Sequence, residues 1–480
     1  MSALEVELKL EAAPADLDRL AAAMEEAGVR LASRELRATY FDTADRDLSG
    51  AGLSLRVRRS GDRWVQTVKA SGAGAGALLA RPEWECEVEG YAPVLDDRAG
   101  PLASMLPDPA ALAPAFSVEV TRRVGEVAVG GGRVEAVIDR GAVTADGRSA
   151  EVAEAELELK DGSPAALFAL ARTLGRAAPV RLGVLTKSER GYRLLDGAGD
   201  KPAKAERGVV GGAVSAGDAF AGVAGACVRQ FRLNEDLLVR TRDPDALHQA
   251  RVGLRRLRSA LSIFRPVVAD NRFEHLRGEL RWLAGMLGEA RDLDVLLARS
   301  GEHAALGEAR ERAYATVLDA LASARVRELM LDLAEWVAVG AWRTAPADPA
   351  LVEQPGQAFA ADALDRLRRR LKKRGKHLVR LDDEERHQLR IVAKKLRYAA
   401  EFFADLFPKP KARRRARRFI EAMAALQEHL GGLNDLATAP AVLERLGLPA
   451  PDGLAPDRQR LVDAAALAYD ELVDRKRFWR

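Results

Sequence analysis

The sequence predicts an α+β protein with two domains, an N-terminal antiparallel β-barrel at residues 1–196 and a C-terminal all-α domain at residues 218–480. Three observations support this prediction. Charged and apolar residues alternate along successive strand candidates in the first 160 residues, as they do in strands whose two faces differ. Helical periodicity replaces this alternation after residue 217, and parts of the helical region repeat one another. Residues 197–217 show neither period and are predicted to form a linker.

Composition narrows the class of protein. At 480 residues, 48% of them hydrophobic, the chain can build two or three domains with apolar cores. Its net charge of +4 is uneven, since residues 1–200 carry −7 and residues 201–480 carry +11, so the second domain is expected to face an anionic partner. Cys86 and Cys227 are too few and too far apart for a disulfide framework or a zinc motif. No stretch of about 20 apolar residues is free of charge, and we expect a soluble, cytoplasmic protein.

The first strand candidate is Glu5–Lys9, in which two acids and a base share one face. The same alternation returns in Leu53–Arg59, Arg81–Val88 and Glu154–Lys160. A solvent-exposed sheet face would show this pattern too, but here both signs of charge recur in strand after strand. We therefore interpret the charged faces as the lining of a lumen. Dry burial of so many ions is costly, so they must be wetted, paired across the lumen or bound to a ligand.

The remaining elements complete a barrel of about eight strands. Helices are predicted at Pro14–Gly28 and about Pro164–Leu174, where apolar residues recur with helical spacing, and they would cover the apolar outer faces. Turn signals separate the other strand candidates, which are Ala38–Phe41, Trp64–Lys69, Phe116–Arg122, Glu126–Val129 and Arg133–Asp139.

The predicted lumen contains two classes of charged residue. Its carboxylates suit a hard divalent cation such as Mg²⁺ or Mn²⁺, and its cations suit a polyanion. The alternative is a lattice of salt bridges that only holds the barrel together. Asp139 and Arg190 are further inward candidates, although Arg190 has the alternative role of tying the last helix of the domain to the barrel. The carboxylates are Glu5, Glu7, Glu85, Glu156 and Glu158, and the cations are Lys9, Arg56, Arg58, Lys69, Arg81, Arg122 and Lys187.

In the helical domain, a histidine followed by three cations occurs twice with identical offsets of 3, 7 and 10 residues, which fall on one helical face. Leu287–Leu293 is matched in the same way by Leu430–Leu436, so we predict two duplicated bundles at about residues 218–343 and 357–480. Each histidine has the alternative role of a helix cap, and each cationic stripe that of a solvated face. The two stripes are His248, Arg251, Arg255 and Arg258, and His387, Arg390, Lys394 and Arg397.

These motifs resemble two known families. The first domain is similar to a CYTH domain of the triphosphate tunnel metalloenzymes, and the second is similar to a CHAD domain. The resemblance covers nearly the whole chain, and the order of the motifs resembles bacterial CYTH–CHAD fusions. It depends in the first domain on Glu5–Lys9, Tyr40–Thr43, Leu55–Arg58, Thr67–Lys69, Glu154–Lys160 and Lys187–Tyr192, and in the second on the two histidine-led stripes.

The resemblance implies a closed eight-stranded tunnel, dependence on Mg²⁺ or Mn²⁺, and a site that cleaves a triphosphate. Glu5, Glu7, Glu156 and Glu158 would hold the metal, and the seven lumen cations would hold the phosphates. Catalytic roles would fall to Glu7, Lys69 and Glu85. A second metal or an inward glutamate would activate the attacking water, and the sequence does not choose between them.

The predicted function is hydrolysis of inorganic triphosphate to diphosphate and phosphate, with a CHAD-like domain that binds inorganic polyphosphate through both stripes. Association with polyphosphate granules is a further possibility. Three alternatives stay open: a non-catalytic polyphosphate-binding scaffold, a triphosphatase acting on nucleoside or thiamine triphosphates, and a cyclase acting on ATP. No membrane partner is expected. Nucleic acid is not expected either, because few aromatic residues lie between the cations.

Overall fold

The computed structural model describes residues 3–70, 78–96, 100–105, 111–206, 210–300, 304–445, 447 and 458–480, so residues 207–209 of the predicted linker lie outside it. The chain forms two compact units. The first comprises Met1–Ala203 and Ser323–Val339, and the second comprises Lys204–Ala322 and Gly340–Arg480. The helix that contains residues 324–339 therefore belongs to the barrel unit, although its sequence lies within the helical half.

The first unit is built on strands that are longer than the sequence pattern indicated. They are β1 (Ala3–Ala12), β2 (Ala32–Asp42), β3 (Leu53–Ser60), β4 (Arg63–Ala70), β5 (Leu78–Val88), β6 (Ala113–Val129), β7 (Gly132–Ala145), β8 (Arg148–Asp161) and β9 (Val180–Leu182).

The first eight strands form a closed antiparallel barrel, which confirms the predicted fold. Their order is β5-β4-β3-β2-β6-β7-β8-β1, and pairing of β1 with β5 closes the ring. The short strand β9 pairs with the end of β1, where Leu10 lies opposite Leu182. A closed ring leaves none of these eight strands with a free edge.

The predicted separation of Phe116–Arg122 from Glu126–Val129 was wrong, because both belong to the continuous strand β6. Gly125, which reads as a turn residue, pairs with Ala136 of β7. A Cβ atom on Gly125 would lie 2.3 Å from the carbonyl oxygen of Arg30. Gly125 is therefore required by a close backbone approach within the strand and does not end it.

The two helices predicted for the first domain are present, and the chain beyond residue 215 is helical, as predicted. In chain order they are α1 (Leu17–Glu26), α2 (Asp47–Gly50), α3 (Leu102–Met105), α4 (Ala165–Ala177), α5 (Lys187–Leu195), α6 (Ala216–Thr241), α7 (Pro244–Val268), α8 (Phe273–Ser300), α9 (Ala304–Ala322), α10 (Ala324–Val339), α11 (Ala341–Thr344), α12 (Pro349–Glu353), α13 (Gly356–Gly375), α14 (Asp383–Phe403), α15 (Pro410–Arg445) and α16 (Arg458–Asp474).

The inner face of the barrel is charged over part of its length and apolar at one end. Along β2, for example, Arg34 is followed on the same face by Leu36, Ala38 and Tyr40, which are buried. These three side chains form an apolar cluster with residues of β6, β7 and β8, and Tyr192, Leu194 and Leu195 of α5 pack against it. Apolar packing therefore closes one end of the lumen, and the charged groups occupy the rest.

Buried Asp42 joins α5 to the barrel, and its replacement should cost measurable stability. Its carboxylate accepts hydrogen bonds from the Tyr192 hydroxyl at 2.7 Å and from the Leu48 and Ser49 amides at 2.9 and 3.1 Å. We expect Asp42→Ala to lower the free energy of unfolding by about 1–3 kcal/mol, because it leaves buried donors without an acceptor. Tyr192→Phe, which removes one of these bonds, should cost less. Equal unfolding midpoints in urea for Asp42→Ala and the wild type would contradict this prediction.

The second unit is helical, as predicted, and aromatic residues fill its core. Phe264 of α7 stacks on Phe359 of α13 with ring centroids 4.7 Å apart, and it contacts Phe220 and Phe403 at 5.5 Å. The sequence signals at the helix starts are also present, since Asp382 and Glu385 form a capping box at α14. Within the described residues, no helix has the length and hydropathy needed to span a bilayer.

Candidate active site in the barrel lumen

The charged part of the lumen is a cavity of about 580 Å³ lined by residues from all eight barrel strands and from the start of α5. It brings together all twelve residues that the sequence analysis assigned to the lumen. These are Glu5, Glu7, Lys9, Arg56, Arg58, Lys69, Arg81, Glu85, Arg122, Glu156, Glu158 and Lys187.

Strand register explains why opposite charges meet in this cavity. Across β1 and β5, Glu5 lies opposite Arg81, and across β1 and β8, Lys9 lies opposite Glu156. Cross-strand partners have Cβ atoms only about 4.5–5.5 Å apart. The alternation in sequence therefore becomes a set of ion pairs around the wall of the barrel.

On one side of the lumen, two cations hold the carboxylates of β1. Lys69 Nζ lies 2.7 Å from Glu5 Oε1, while Arg81 donates to Glu5 Oε2 at 3.0 Å and to Glu7 Oε1 at 2.7 Å. Burial opposes ionisation of Glu5, but the charges of Lys69 and Arg81 outweigh it and lower its pKa to about 2. Both carboxylates therefore accept hydrogen bonds from cationic side chains in this structure.

On β7 and on β8, which is the neighbour of β1 in the barrel, Asp139, Glu154 and Glu156 converge. One oxygen from each carboxylate lies within 4.8 Å of the others, the only such cluster found among the described residues. Lys187 Nζ lies among them, 2.7 Å from Asp139 Oδ2, 2.5 Å from Glu154 Oε1 and 2.9 Å from Glu156 Oε1. Arg122 makes a two-pronged contact with Asp139 at 2.8 and 2.6 Å.

The cations determine the charge state of this cluster. Burial alone would raise the pKa of Glu156, but Lys187, Lys9 and Arg122 lower it well below its usual value. Burial likewise opposes the charge of Lys187, and the facing carboxylates raise its pKa above the usual value. Glu156 and Lys187 are therefore both ionised at neutral pH.

The β3 side of the lumen differs because two arginines lie side by side there. The Nε atoms of Arg56 and Arg58 are buried and have no hydrogen-bond partner among the described residues. The charge of Arg56, together with burial, lowers the pKa of Arg58 to about 10. The nearest carboxylate to Arg58 belongs to Glu85, 3.7 Å from Nη2. Buried guanidinium nitrogens without acceptors favour an anionic ligand at this position.

Not every predicted metal ligand belongs to the carboxylate cluster. Glu156 does, but Glu5 and Glu7 are bonded to Lys69 and Arg81, and Glu158 accepts a hydrogen bond from Lys160 at 2.7 Å. Burial raises the pKa of Glu158. The metal-binding roles of Glu5, Glu7 and Glu158 stay predictions.

Sequence reasoning gave Asp139 little weight and assigned no role to Glu154, Glu83 or Arg34, which lie in or beside the cavity. Glu154 could have been found, since it continues the inward alternation of Glu156 and Glu158. Arg34 could not, because its strand was expected to begin only at Ala38. As for Arg190, its Nη2 atom contacts Glu11 at 3.2 Å and Glu154 at 3.4 Å, so it links α5 to two barrel strands.

The helical unit has a second cationic site, a cavity of about 1060 Å³. Burial, followed by the charges of Arg255, Arg390 and Arg251, lowers the pKa of Lys394 to about 7. Burial and nearby arginines also lower the pKa of His248, to about 4. Of the eight stripe residues, four line this cavity, namely His248, Arg255, Lys394 and Arg397.

The other four stripe residues have different surroundings. Arg251 donates to the Gly288 carbonyl at 3.0 Å and faces Asp292 at 3.4 Å. His387 Nδ1 lies 2.7 Å from Asn434 Oδ1. The charges of Arg281 and Arg277, after burial, lower the pKa of Arg258, whereas Arg390 influences Lys394. The stripes therefore form a cationic centre around Arg251, Arg255, Arg390 and Lys394, with Arg258 in a separate group of cations.

Comparison with known proteins assigns both units. Residues 3–192 match the CYTH domain family and residues 222–444 match the CHAD domain family. An inorganic triphosphatase from Haemophilus influenzae is 27% identical over 157 residues, which are 32% of this chain and 45% of that protein. This chain therefore spans less than half of the length of that curated relative.

Two solved structures are similar to part of the chain. The CHAD domain from the plant Ricinus communis is 30% identical, with a TM-score of 0.46, and the match covers 57% of this chain and 93% of that one. PptA from Streptomyces chartreusis is 21% identical with a TM-score of 0.35, and the match covers 54% of this chain and 95% of that one. With an N-terminal eight-stranded barrel that matches one family and a helical region that matches the other, this chain is a CYTH–CHAD fusion.

Proposed function

We propose that the barrel hydrolyses inorganic triphosphate in a reaction that requires Mg²⁺ or Mn²⁺. The observation that carries this proposal is that Arg56 and Arg58, whose buried Nε atoms have no hydrogen-bond partner among the described residues, line the same cavity as Glu156. The Glu156 carboxylate belongs in turn to the cluster of Asp139, Glu154 and Glu156. A lumen that presents free guanidinium nitrogens and a group of carboxylates suits a phosphate chain bound with a cation. Membership of the CYTH family and the similarity to an inorganic triphosphatase support the same conclusion.

The cations of the lumen would hold the substrate. Arg56 and Arg58 present forked donors that match phosphate oxygens, whereas Lys9, Lys69 and Lys187 supply point charges. Arg81 and Arg122 already bond to carboxylates, so they would also keep those carboxylates in place. Because triphosphate carries its charge along a short chain, cations on several strands can contact it at once.

The residues present fit a hard divalent cation, since clustered carboxylate oxygens are the ligands that Mg²⁺ and Mn²⁺ prefer. Asp139, Glu154 and Glu156 would hold it, with the predicted ligands Glu5, Glu7 and Glu158 in the same lumen. When bound, such a cation neutralises charge on phosphate oxygens. Among the described residues these three carboxylates already share one ammonium, that of Lys187.

In the proposed reaction, water attacks the terminal phosphorus in line, the bond from that phosphorus to the bridging oxygen breaks, and diphosphate leaves. The proton of the water passes to a base. Glu85 fits this role because its carboxylate is half exposed and is held weakly, by a 3.3 Å hydrogen bond from Thr67 Oγ1 and by Arg58 Nη2 at 3.7 Å. Glu7, by contrast, is bonded directly to Arg81, which suits a positioning role for Glu7.

Phosphate release from tripolyphosphate, ATP and thiamine triphosphate, each with Mg²⁺, Mn²⁺ or EDTA, tests the proposal. We expect the purified chain to release phosphate fastest from tripolyphosphate and only when a metal is present. Faster turnover of ATP or thiamine triphosphate would assign the substrate to one of the alternatives. Binding of tripolyphosphate without release from any substrate would identify a scaffold.

For the helical unit we propose binding of inorganic polyphosphate. The like charges around Lys394 are only partly compensated by nearby carboxylates, and Arg390 Nε is buried without a hydrogen-bond partner among the described residues. A bound polyanion would compensate the positive charge around Lys394 and supply an acceptor for Arg390 Nε. In a competition assay, long-chain polyphosphate should displace duplex DNA from the chain, and the opposite result would indicate a nucleic-acid module. Binding should weaken with salt in either case.

Polyphosphate binding should depend on pH between 7 and 9. Lys394 faces Arg251 and Arg255 of α7, Arg390 of its own helix and Asp435 of α15, and without a ligand its pKa is about 7. A bound polyanion would raise that pKa, so binding takes up a proton above pH 7 and affinity falls as pH rises. His248, with a pKa of about 4, stays neutral in this range.

The check is titration of wild type and Lys394→Gln with polyphosphate at constant ionic strength. The wild type should lose affinity from pH 7 to pH 9, and the variant should show a flatter profile. Parallel pH profiles for the two proteins would contradict the role of Lys394.

A further inference from the structure

The ammonium of Lys187 is held where a divalent cation would bind. Its Nζ lies 2.5–2.9 Å from one oxygen each of Asp139, Glu154 and Glu156, and the side chain is 8% exposed. These are the three carboxylates whose oxygens converge within 4.8 Å. The positive charge at the centre of the cluster is therefore the ammonium of Lys187.

The negative charges of the three carboxylates are already compensated by neighbouring side chains, so a second cation at the centre would add uncompensated positive charge. Lys9 is hydrogen-bonded to Glu156 and lies 3.7 Å from Glu154, and Arg122 contacts Asp139 and Glu156 at 2.6 and 3.0 Å. Arg190 also contacts Glu154, at 3.4 Å, so with Lys187 four cations contact the three carboxylates. A divalent cation on the same oxygens would lie within a few ångströms of the Lys187 ammonium, and the two would repel strongly in this low-dielectric lumen.

Lys187 is the cation best able to leave. It occupies the first turn of α5, after the Thr186 N-cap, and its charge is carried at the end of a flexible four-carbon stem. Arg122 is held to Asp139 by two parallel hydrogen bonds, and such a planar fork is lost less readily. Arg56 and Arg58, whose Nε atoms have no hydrogen-bond partner among the described residues, line the same cavity as Lys187, and this is where phosphate oxygens are expected.

We propose that Lys187 is an exchangeable internal counter-ion: a divalent cation replaces its ammonium among Asp139, Glu154 and Glu156, and the released ammonium moves to the phosphate oxygens of the substrate. Metal and triphosphate then bind cooperatively, because the triphosphate supplies new partners for the ammonium that the metal displaces. Without triphosphate, the metal must break the Lys187 contacts while the displaced ammonium gains no new partners, so the metal alone binds more weakly. This inference rests on the proposed metal-dependent hydrolysis, and it identifies the Lys187 ammonium as the group that occupies the metal site before a metal binds.

The test measures Mn²⁺ binding to the full chain in the absence of triphosphate. The concentration of free Mn²⁺ is determined from its electron paramagnetic resonance signal. Lys187→Met removes the competing charge at nearly constant length, and we expect it to bind Mn²⁺ at least tenfold more tightly than the wild type. Arg34→Met removes one positive charge from the lining of the same cavity without removing a contact to the three carboxylates, and it should change Mn²⁺ affinity much less. Lys187→Arg, which keeps the charge, should bind no more tightly than the wild type.

Stability provides a second readout. Without Lys187 the three carboxylates repel one another, so Lys187→Met should have a lower Tm than the wild type in EDTA. Mn²⁺ should then raise the Tm of the variant by more than that of the wild type. Equal Mn²⁺ affinities for wild type and Lys187→Met, or equal gains for Lys187→Met and Arg34→Met, would overturn the proposal.

Failure to fold is also decisive. If Lys187→Met and Lys187→Gln both stay unfolded in saturating Mn²⁺, a divalent cation does not replace the ammonium, and the proposal is wrong. Since no substrate is present, unchanged Mn²⁺ affinity in these variants is distinguishable from an absence of triphosphate hydrolysis in the wild type, which would instead refute the proposed function.

Discussion

Replacing Lys69 or Glu7 by alanine is expected to lower tripolyphosphate turnover by on the order of 10²–10³-fold, the loss usual when one electrostatic contact to a reacting group is removed. Lys69 projects into the lumen, where Glu5 fixes its ammonium at 2.7 Å. Glu7 positions Arg81 through a 2.7 Å hydrogen bond. Either change therefore alters the cations that would contact the substrate.

Steady-state phosphate release with Mg²⁺ checks this prediction, with far-ultraviolet circular dichroism to show that the barrel is folded. Arg37→Ala is the matched control, since Arg37 is likewise a charged residue of a barrel strand, β2, but its side chain is 78% exposed beside Glu119. It should retain wild-type turnover. Wild-type rates in both Lys69→Ala and Glu7→Ala would refute the site assignment.

The double substitution Arg255→Ala/Lys394→Ala should weaken polyphosphate binding by about 100-fold, if each lost contact costs about 1.4 kcal/mol. Both side chains line the cationic cavity of the helical unit. Arg255 is oriented by a 2.8 Å hydrogen bond from its Nε to the Tyr398 hydroxyl, so its remaining nitrogens are available to a ligand.

A charge-matched control separates a site from general attraction to a basic surface. Arg366→Ala/Arg369→Ala removes two exposed cations from α13, outside that cavity. Fluorescence titration with end-labelled polyphosphate at fixed salt should show a small loss for this control and a large one for the cavity variant. Equal losses would mean that polyphosphate binds by net charge alone.

The barrel was predictable because a strand leaves a period of two in its sequence. In Glu5–Lys9 and Glu154–Lys160 the alternation assigned each side chain to a face before any coordinates were known. Strand limits were less predictable. Arg34 lies in a stretch of β2 whose exposed residues show no apolar alternation, and Gly125 reads as a turn although it lies within β6.

The apolar end of the lumen also could not be predicted from local sequence patterns. Leu36, Val118 and Val143 come from three strands and form one cluster against Tyr192 of α5. Nothing near any of them in sequence indicates that the lumen narrows there, because packing of this kind depends on side chains brought together by strand register.

By itself, the sequence determined which residues would face the lumen and that acids and bases would share it, since strand periodicity is a local property of the chain. Only the tertiary structure decided which charges meet. Closure of β1 on β5 and the placement of α5 bring Lys187 to Asp139, Glu154 and Glu156. Within the part of the chain that the structure describes, the fold also leaves the Nε atoms of Arg56 and Arg58 without acceptors. Coulombic and hydrogen-bonding energies depend on distances of a few ångströms, and those distances are set by the packing of residues far apart in sequence.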